Sequence, residues 1–248
     1  FTLGESMKYI IPLFTLIMLV CASGCNQYDA PLVTGSIAGF VTPIDESGAT
    51  LARDGVKVTI EEAGKSAMTN SDGYWIINDI PAGIYTISFS KNNFSTNKVV
   101  AYQFVGNGTA FITNTQLPII PPYNTTIDSV WIDTSSDPAV VISGSMSRPQ
   151  PQNRTVLLFM NKQTPVTSNP KEYSSVVTSF VSALSTNFTE RIPVTQFVEL
   201  GYPRGSTVYI TSYATSKLYY RYVDIETGRN YYSGIMPSGT NRVSVVVP

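Results

Sequence analysis

From residue 34 onward the chain alternates apolar and polar positions with a period of two, in short runs broken by turn residues. Gly35-Ser36-Ile37-Ala38-Gly39-Phe40-Val41 is one such run and Gly55-Val56-Lys57-Val58-Thr59-Ile60-Glu61 is another. Residues 45–54, between them, are rich in turn formers. Further runs fall at 66–70, 74–78, 84–89, 96–104 and 109–116. Successive side chains of a strand point to opposite faces, so a period of two marks half-buried strands. About one run per ten residues, punctuated by Gly, Pro, Asn and Asp, predicts an all-β sandwich or barrel.

Leu117-Pro118-Ile119-Ile120-Pro121-Pro122-Tyr123 interrupts the pattern. Proline cannot donate to a strand ladder, so this stretch reads as a stiff linker over residues 118–123 rather than a central strand. Alternation then resumes, predicting strands at 127–133, 139–146, 155–160, 188–197, 207–214, 218–225, 230–235 and 243–247. Residues 170–184 are ambiguous. Tyr173, Val176, Val177, Phe180 and Leu184 fit a helical face, while the Val and Thr content favours an irregular strand. The expected fold is therefore all-β, with two tandem β-sandwiches over residues 34–117 and 124–248.

Two segments carry a resemblance to known families. Thr69-Asn70-Ser71-Asp72-Gly73-Tyr74-Trp75-Ile76, followed by Ile80-Pro81-Ala82-Gly83-Ile84-Tyr85-Thr86-Ile87, resembles the carboxypeptidase regulatory-like domain over residues 34–117. That resemblance implies a prealbumin-like sandwich in which Asp72-Gly73 turns a hairpin and Gly73 takes a positive φ. It implies no peptidase activity, because the family name comes from an accessory domain. Asp72 reads as a turn residue, with a calcium ligand as the alternative. In the second half, Leu200-Gly201-Tyr202-Pro203-Arg204-Gly205 leading into Tyr209-Ile210-Thr211-Ser212-Tyr213-Ala214 resembles the corner and following strand of fibronectin type III domains. It implies an immunoglobulin-like sandwich with Tyr209 as the buried corner tyrosine.

The N-terminal stretch has a different pattern. Lys8 precedes the apolar run Tyr9 to Val20, which ends in small residues and is shorter than the roughly 20 apolar residues of a membrane-spanning helix. This is the anatomy of a secretory signal, with residues 1–6 as upstream sequence outside it. Ala22-Ser23-Gly24-Cys25 resembles the lipobox of bacterial lipoproteins, which implies cleavage after residue 24 and diacylglycerol on the Cys25 sulfur. Cys21 fits less well, because Leu19 and Val20 before it are bulky. A simple secretory signal with an incidental cysteine is the alternative. The resemblance implies export to the outer membrane, with residues 25–33 as a tether to the first sandwich.

Composition narrows the function. The 248 residues carry 16 basic and 17 acidic side chains, a net charge of −1, and this balance offers no electrostatic footprint for nucleic acid. Histidine is absent, which removes Ser-His and Cys-His couples and the commonest general base near neutral pH. No catalytic residue, metal site or cofactor is expected. Five of the 15 tyrosines gather in the hairpin Leu218 to Tyr232, where neighbouring side chains must point to opposite faces. Tyr219, Tyr220, Arg221, Tyr222, Arg229, Tyr231 and Tyr232 are the candidate binding surface, with cross-strand tyrosine packing as the bland alternative. The expected function is a lipid-anchored, non-catalytic binding or scaffold protein with a surface protein or a glycan as partner. One alternative is a glycan-binding lipoprotein accessory to a starch-utilisation-type uptake system, suggested by a likeness of Cys25-Asn26-Gln27-Tyr28-Asp29-Ala30-Pro31 to small surface lipoproteins. Another is a glycoside hydrolase built on a carboxylate pair.

Overall fold

A computed structural model describes residues 32–248. The signal segment, Cys25 and most of the 25–33 tether lie outside the described residues. Fifteen strands and one short helix make up the described fold. As the period-two pattern predicts, it is all-β, with two tandem β-sandwiches.

The first sandwich uses seven strands: β1 (Thr34–Ile44), β2 (Lys57–Ile60), β3 (Lys65–Met68), β4 (Tyr74–Pro81), β5 (Gly83–Ser90), β6 (Asn97–Phe104) and β7 (Thr109–Pro118). They form a three-stranded sheet, β4-β1-β7, and a four-stranded sheet, β3-β2-β5-β6. Ile37, Val41, Trp75 and Ile77 from one sheet meet Val58, Tyr85, Ile87 and Phe89 from the other in one core. Burying such side chains contributes roughly 1.5–3 kcal/mol each. The β3–β4 turn follows the sequence closely. Asn70 Oδ1 accepts from the Asp72 and Tyr74 amides at 3.0 and 2.9 Å, and Gly73 takes φ +82°. A Cβ there would lie 2.3 Å from the Val41 carbonyl oxygen, so glycine is needed for space as well as for φ. Asp72 is part of this turn. No cluster of three or more metal-ligating side chains occurs among the described residues.

The second sandwich uses β8 (Thr125–Asp133), β9 (Ala139–Met146), β10 (Arg154–Asn161), β11 (Ser175–Val181), β12 (Asn187–Pro193), β13 (Thr207–Val223), β14 (Asn230–Ile235) and β15 (Arg242–Val246). The sheet β12-β9-β8 packs on the sheet β11-β10-β13, in which β13 also pairs with β15 and with β14. Val140, Ile142, Phe188 and Ile192 from one sheet share a core with Val156, Leu158, Val208 and Ile210 from the other. The ambiguous segment 170–184 contains strand β11, as its Val content favours.

Three expectations need correction. The strand expected at 188–197 ends at Pro193 and gives way to a helical turn, α1 (Val194–Glu199). Proline ends the ladder, the Val194 amide donates to Pro138 O at 3.0 Å, and the three-residue spacing puts Val194 and Phe197 into the core together. The runs at 207–214 and 218–225 belong to one 17-residue strand. Where its pairing to β14 shifts register, between Thr215 and Tyr220, other bonds take over: Ser216 Oγ donates to Ile119 O at 2.9 Å and the Lys217 amide to Glu46 O at 2.9 Å. Finally, Tyr209 is half-buried on the outer face of its sheet, with the Arg242 guanidinium 5.7 Å from its ring centre. The buried tyrosine of this corner is Tyr202, whose hydroxyl pairs with Ser175 Oγ at 2.7 Å.

The proline-rich segment is tied to the first sandwich. The Ile119 amide donates to Ile44 O at 2.9 Å, and the Ile120 amide to Asn93 O at 3.0 Å. Beyond it, Tyr220 on β13 hydrogen-bonds Gln116 of β7. The distal part of β13 thus reaches back onto the first sandwich, and residues 34–248 form one unit.

Candidate functional site

The outer face of the β10–β13 sheet carries a second, smaller core. Alternation along β13 turns Ile210 and Ala214 inward and Tyr209, Thr211 and Tyr213 outward. Phe159 on β10 lies at its centre. The rings of Tyr173, Tyr213 and Tyr232 meet Phe159 edge-on at centroid distances of 5.0, 5.0 and 5.3 Å. Such pairs stabilise by about 0.5–1.5 kcal/mol beyond area burial.

Two loops rise beside this aromatic cluster. The first, residues 162–174 between β10 and β11, inserts Val166 and Tyr173 into it. Three bonds hold this loop in place. The Ser168 amide donates to the Tyr213 hydroxyl at 3.1 Å, Tyr173 donates to Asn230 O at 2.6 Å, and Arg229 Nη1 donates to Pro170 O at 2.9 Å. The second loop, residues 236–241 between β14 and β15, is fixed by Asn241. Its side-chain amide donates to Ile127 O at 2.7 Å, and its oxygen accepts from the Ile127 amide at 2.9 Å.

Between the loops lies a cleft of about 550 Å³. Thr211 and Tyr213 line it from β13, Tyr231 and Tyr232 from β14, and Ser168 and Asn169 from the first loop. Arg242, directly across the β13–β15 ladder from Thr211, supplies the single charged side chain of the lining. The Thr211 hydroxyl is buried and has no hydrogen-bond partner. The lining holds no carboxylate and no thiol. Pro237 also borders a second, more apolar cleft of about 650 Å³, lined by Ile119, Pro121, Pro122, Tyr123 and Met236.

The seven predicted surface residues separate into several environments. Tyr231 and Tyr232 line the cleft, and Tyr219 packs beside Tyr232 at the edge of the aromatic cluster. Tyr222 stacks on Tyr231 with centroids 5.3 Å apart, and Tyr220 is spent on Gln116. Arg229 clamps the first loop, while Arg221 is exposed opposite Tyr232. Burial pushes the Tyr222 hydroxyl up to about 12, helped by the neighbouring Tyr231 and Glu61. Burial also lifts Tyr173 to about 12, with Tyr232 adding to the effect. These tyrosines stay neutral well above ordinary pH.

Sequence reasoning missed Thr211, Tyr213, Ser168, Asn169 and Arg242. A signal existed for the first two, since the run Tyr209-Ile210-Thr211-Ser212-Tyr213 alternates and must place one set of side chains outside the core. Nothing in the chain indicated that the loops at 162–174 and 236–241 flank that face.

No protein-family model matches the chain, and no curated protein matches it. Among solved structures it is similar to a mutant type II cohesin–X-dockerin complex from Acetivibrio cellulolyticus, at 24% identity and a TM-score of 0.30. That match covers 34% of this chain and 56% of the other, so the chain spans little over half of the length of that relative. A candidate carbohydrate binding protein from Bacteroides uniformis is 15% identical over 86% of this chain and 99% of its own, with a TM-score of 0.29. A DUF3823 family protein from Parabacteroides merdae is 14% identical over 84% of this chain and 98% of its own, with a TM-score of 0.27.

Proposed function

We propose that the protein is a non-catalytic binding protein, tethered to the outer membrane by lipid on Cys25, and that the cleft on the outer face of the second sandwich holds its ligand. The observation that carries this reading is the lining. Hydroxyls, two amides, one guanidinium and tyrosine rings border a cleft of about 550 Å³ without a carboxylate among them. That is a set of groups for recognition, since hydrolysis of a glycosidic bond needs two facing carboxyl groups. Tyr231 and Tyr232 are the part of the predicted hairpin surface that serves this site.

A second reading makes the ligand a glycan and the protein an accessory of a polysaccharide uptake system. Tyrosine rings beside Ser168, Asn169 and Thr240 favour it, because sugars present hydroxyls at their edges and C–H faces that rest on aromatic rings. The test is a glycan array probed with the detergent-solubilised full chain, with Asn169→Ala as the comparison. Binding that weakens in the variant supports the reading. Equal binding by both proteins, or none, removes the cleft from consideration.

A further inference from the structure

We infer that the cleft selects acidic glycans, carrying a carboxylate or a sulfate ester, and that Arg242 is the specificity-determining residue. This rests on the reading of the cleft as a glycan site. Arg242 opens β15 directly opposite Thr211, and strand alternation fixes its direction. Val243 and Val245 pack against the main core, so Arg242 and Ser244 project to the outer face with Tyr209, Thr211 and Tyr213. The Tyr209 ring lies under the guanidinium with 5.7 Å between Cζ and the ring centre, which holds the long side chain at the rim of the cleft.

One charged side chain borders the cleft, while the Glu172 carboxylate is engaged by the hydroxyl of the lining residue Thr167. Of the 15 residues that line the cleft, Arg242 alone carries a formal charge. None of the five ion pairs among the described residues involves it: Lys98 pairs with Glu61, Arg148 with Glu46, Lys171 with Glu226, and Arg191 with Asp133 and Asp137. Its planar fork of N–H donors is matched to the two oxygens of a carboxylate or sulfate. Asn241 is spent on Ile127 and Thr167 on Glu172, while Ser168, Asn169, Ser238 and Thr240 are neutral polar side chains suited to the hydroxyls of the same sugar. The contrast with Arg229 is instructive. Arg229, in the turn between β13 and β14, spends its guanidinium on Pro170 O, closing the loop instead of facing a ligand.

The test compares three polymers that share one backbone: dextran, carboxymethyl-dextran and dextran sulfate. Binding of the detergent-solubilised full chain is measured by biolayer interferometry at fixed ionic strength. One charge-assisted bidentate contact predicts that one or both acidic polymers bind roughly tenfold more tightly than dextran. The two acidic arms tell carboxylate from sulfate. Arg242→Gln should erase that preference, bringing the acidic polymers down to the affinity of dextran, and a preference that survives in this variant overturns the inference. Lys57→Gln, exposed on β2 of the first sandwich and away from the cleft, should keep the preference. Equal binding of the neutral and acidic polymers overturns the acidic inference but leaves the glycan reading standing. Loss of preference in Lys57→Gln to the same extent as in Arg242→Gln also overturns it, because the attraction is then general and not seated in the cleft. No binding of any of the three, nor of any glycan on an array, overturns both.

Discussion

The Tyr123 hydroxyl accepts a hydrogen bond from Arg154 Nε at 2.9 Å and donates its own proton to Thr215 O at 2.8 Å. Arg154 is 2% exposed and has only carbonyl oxygens for its other bonds, from Gln152 at 3.3 Å and Asn153 at 3.1 Å. A buried guanidinium held by neutral acceptors depends on each of them, since its Nη2 already has none. Tyr123→Phe should therefore destabilise the protein by about 2 kcal/mol in urea denaturation. Arg154→Met, which removes the buried charge while filling similar space, should cost less. A larger loss for Arg154→Met would show that the guanidinium is a net stabiliser.

Alkaline pH should weaken the fold in a defined window. Tyr173 and Tyr222 titrate near 12 in the folded protein against an ordinary value of 10.0, because burial disfavours the phenolate. Below pH 10 both folded and unfolded chains hold the proton, and the contribution to stability is complete. Between about 10 and 12 the unfolded chain ionises first, so stability is lost as pH rises through this window. Tyrosinate absorbance should show a late-titrating fraction that shrinks in Tyr173→Phe and Tyr222→Phe. Uniform titration near 10 would contradict this.

Gly239 marks how closely the 236–241 loop approaches β13. A Cβ at this position would lie 2.1 Å from Thr211 Cγ2, 2.9 Å from Tyr213 Cε2 and 3.2 Å from the Ser212 carbonyl oxygen. Gly239→Ala should push the loop away from the floor of the cleft at a cost of about 1–3 kcal/mol, the range for overpacked sites. Calorimetry gives the stability change. Ligand binding should fall more than stability alone explains, and a variant that binds normally would place the ligand elsewhere.

Membrane attachment is tested by Cys25→Ala. An acyl chain contributes about 0.8 kcal/mol per buried CH₂, and stable attachment takes more than one chain. The variant should move from the membrane fraction to the soluble fraction. If it stays in the detergent phase, the lipobox reading of Ala22-Ser23-Gly24-Cys25 is wrong.

Much of the fold was legible because the signals are local. The Asn70 to Tyr74 hairpin follows from side-chain bonds within five residues and one glycine, and the facing set Tyr85, Ile87 and Phe89 follows from alternation. The errors fall where a distant partner decided the outcome. Residues 216–217 look like a break between two strands, yet β13 runs on because Ile119 and Glu46, far away in the chain, bond to it there. Tyr209 fits a corner motif, but Tyr202 reaches Ser175 and takes the buried place.

The sequence by itself determined the all-β class and the turns of the first sandwich, because period, glycine and proline act on neighbouring residues. It also showed that the hairpin tyrosines must divide between two faces, since adjacent side chains on a strand diverge. Which of those rings pack on Phe159, which stack on each other and which border a cleft was decided by tertiary structure alone. The cleft joins residues from β13, β14 and β15 with a loop from between β10 and β11. Its shape depends on contacts between segments separated by dozens of residues, and no local period records such contacts.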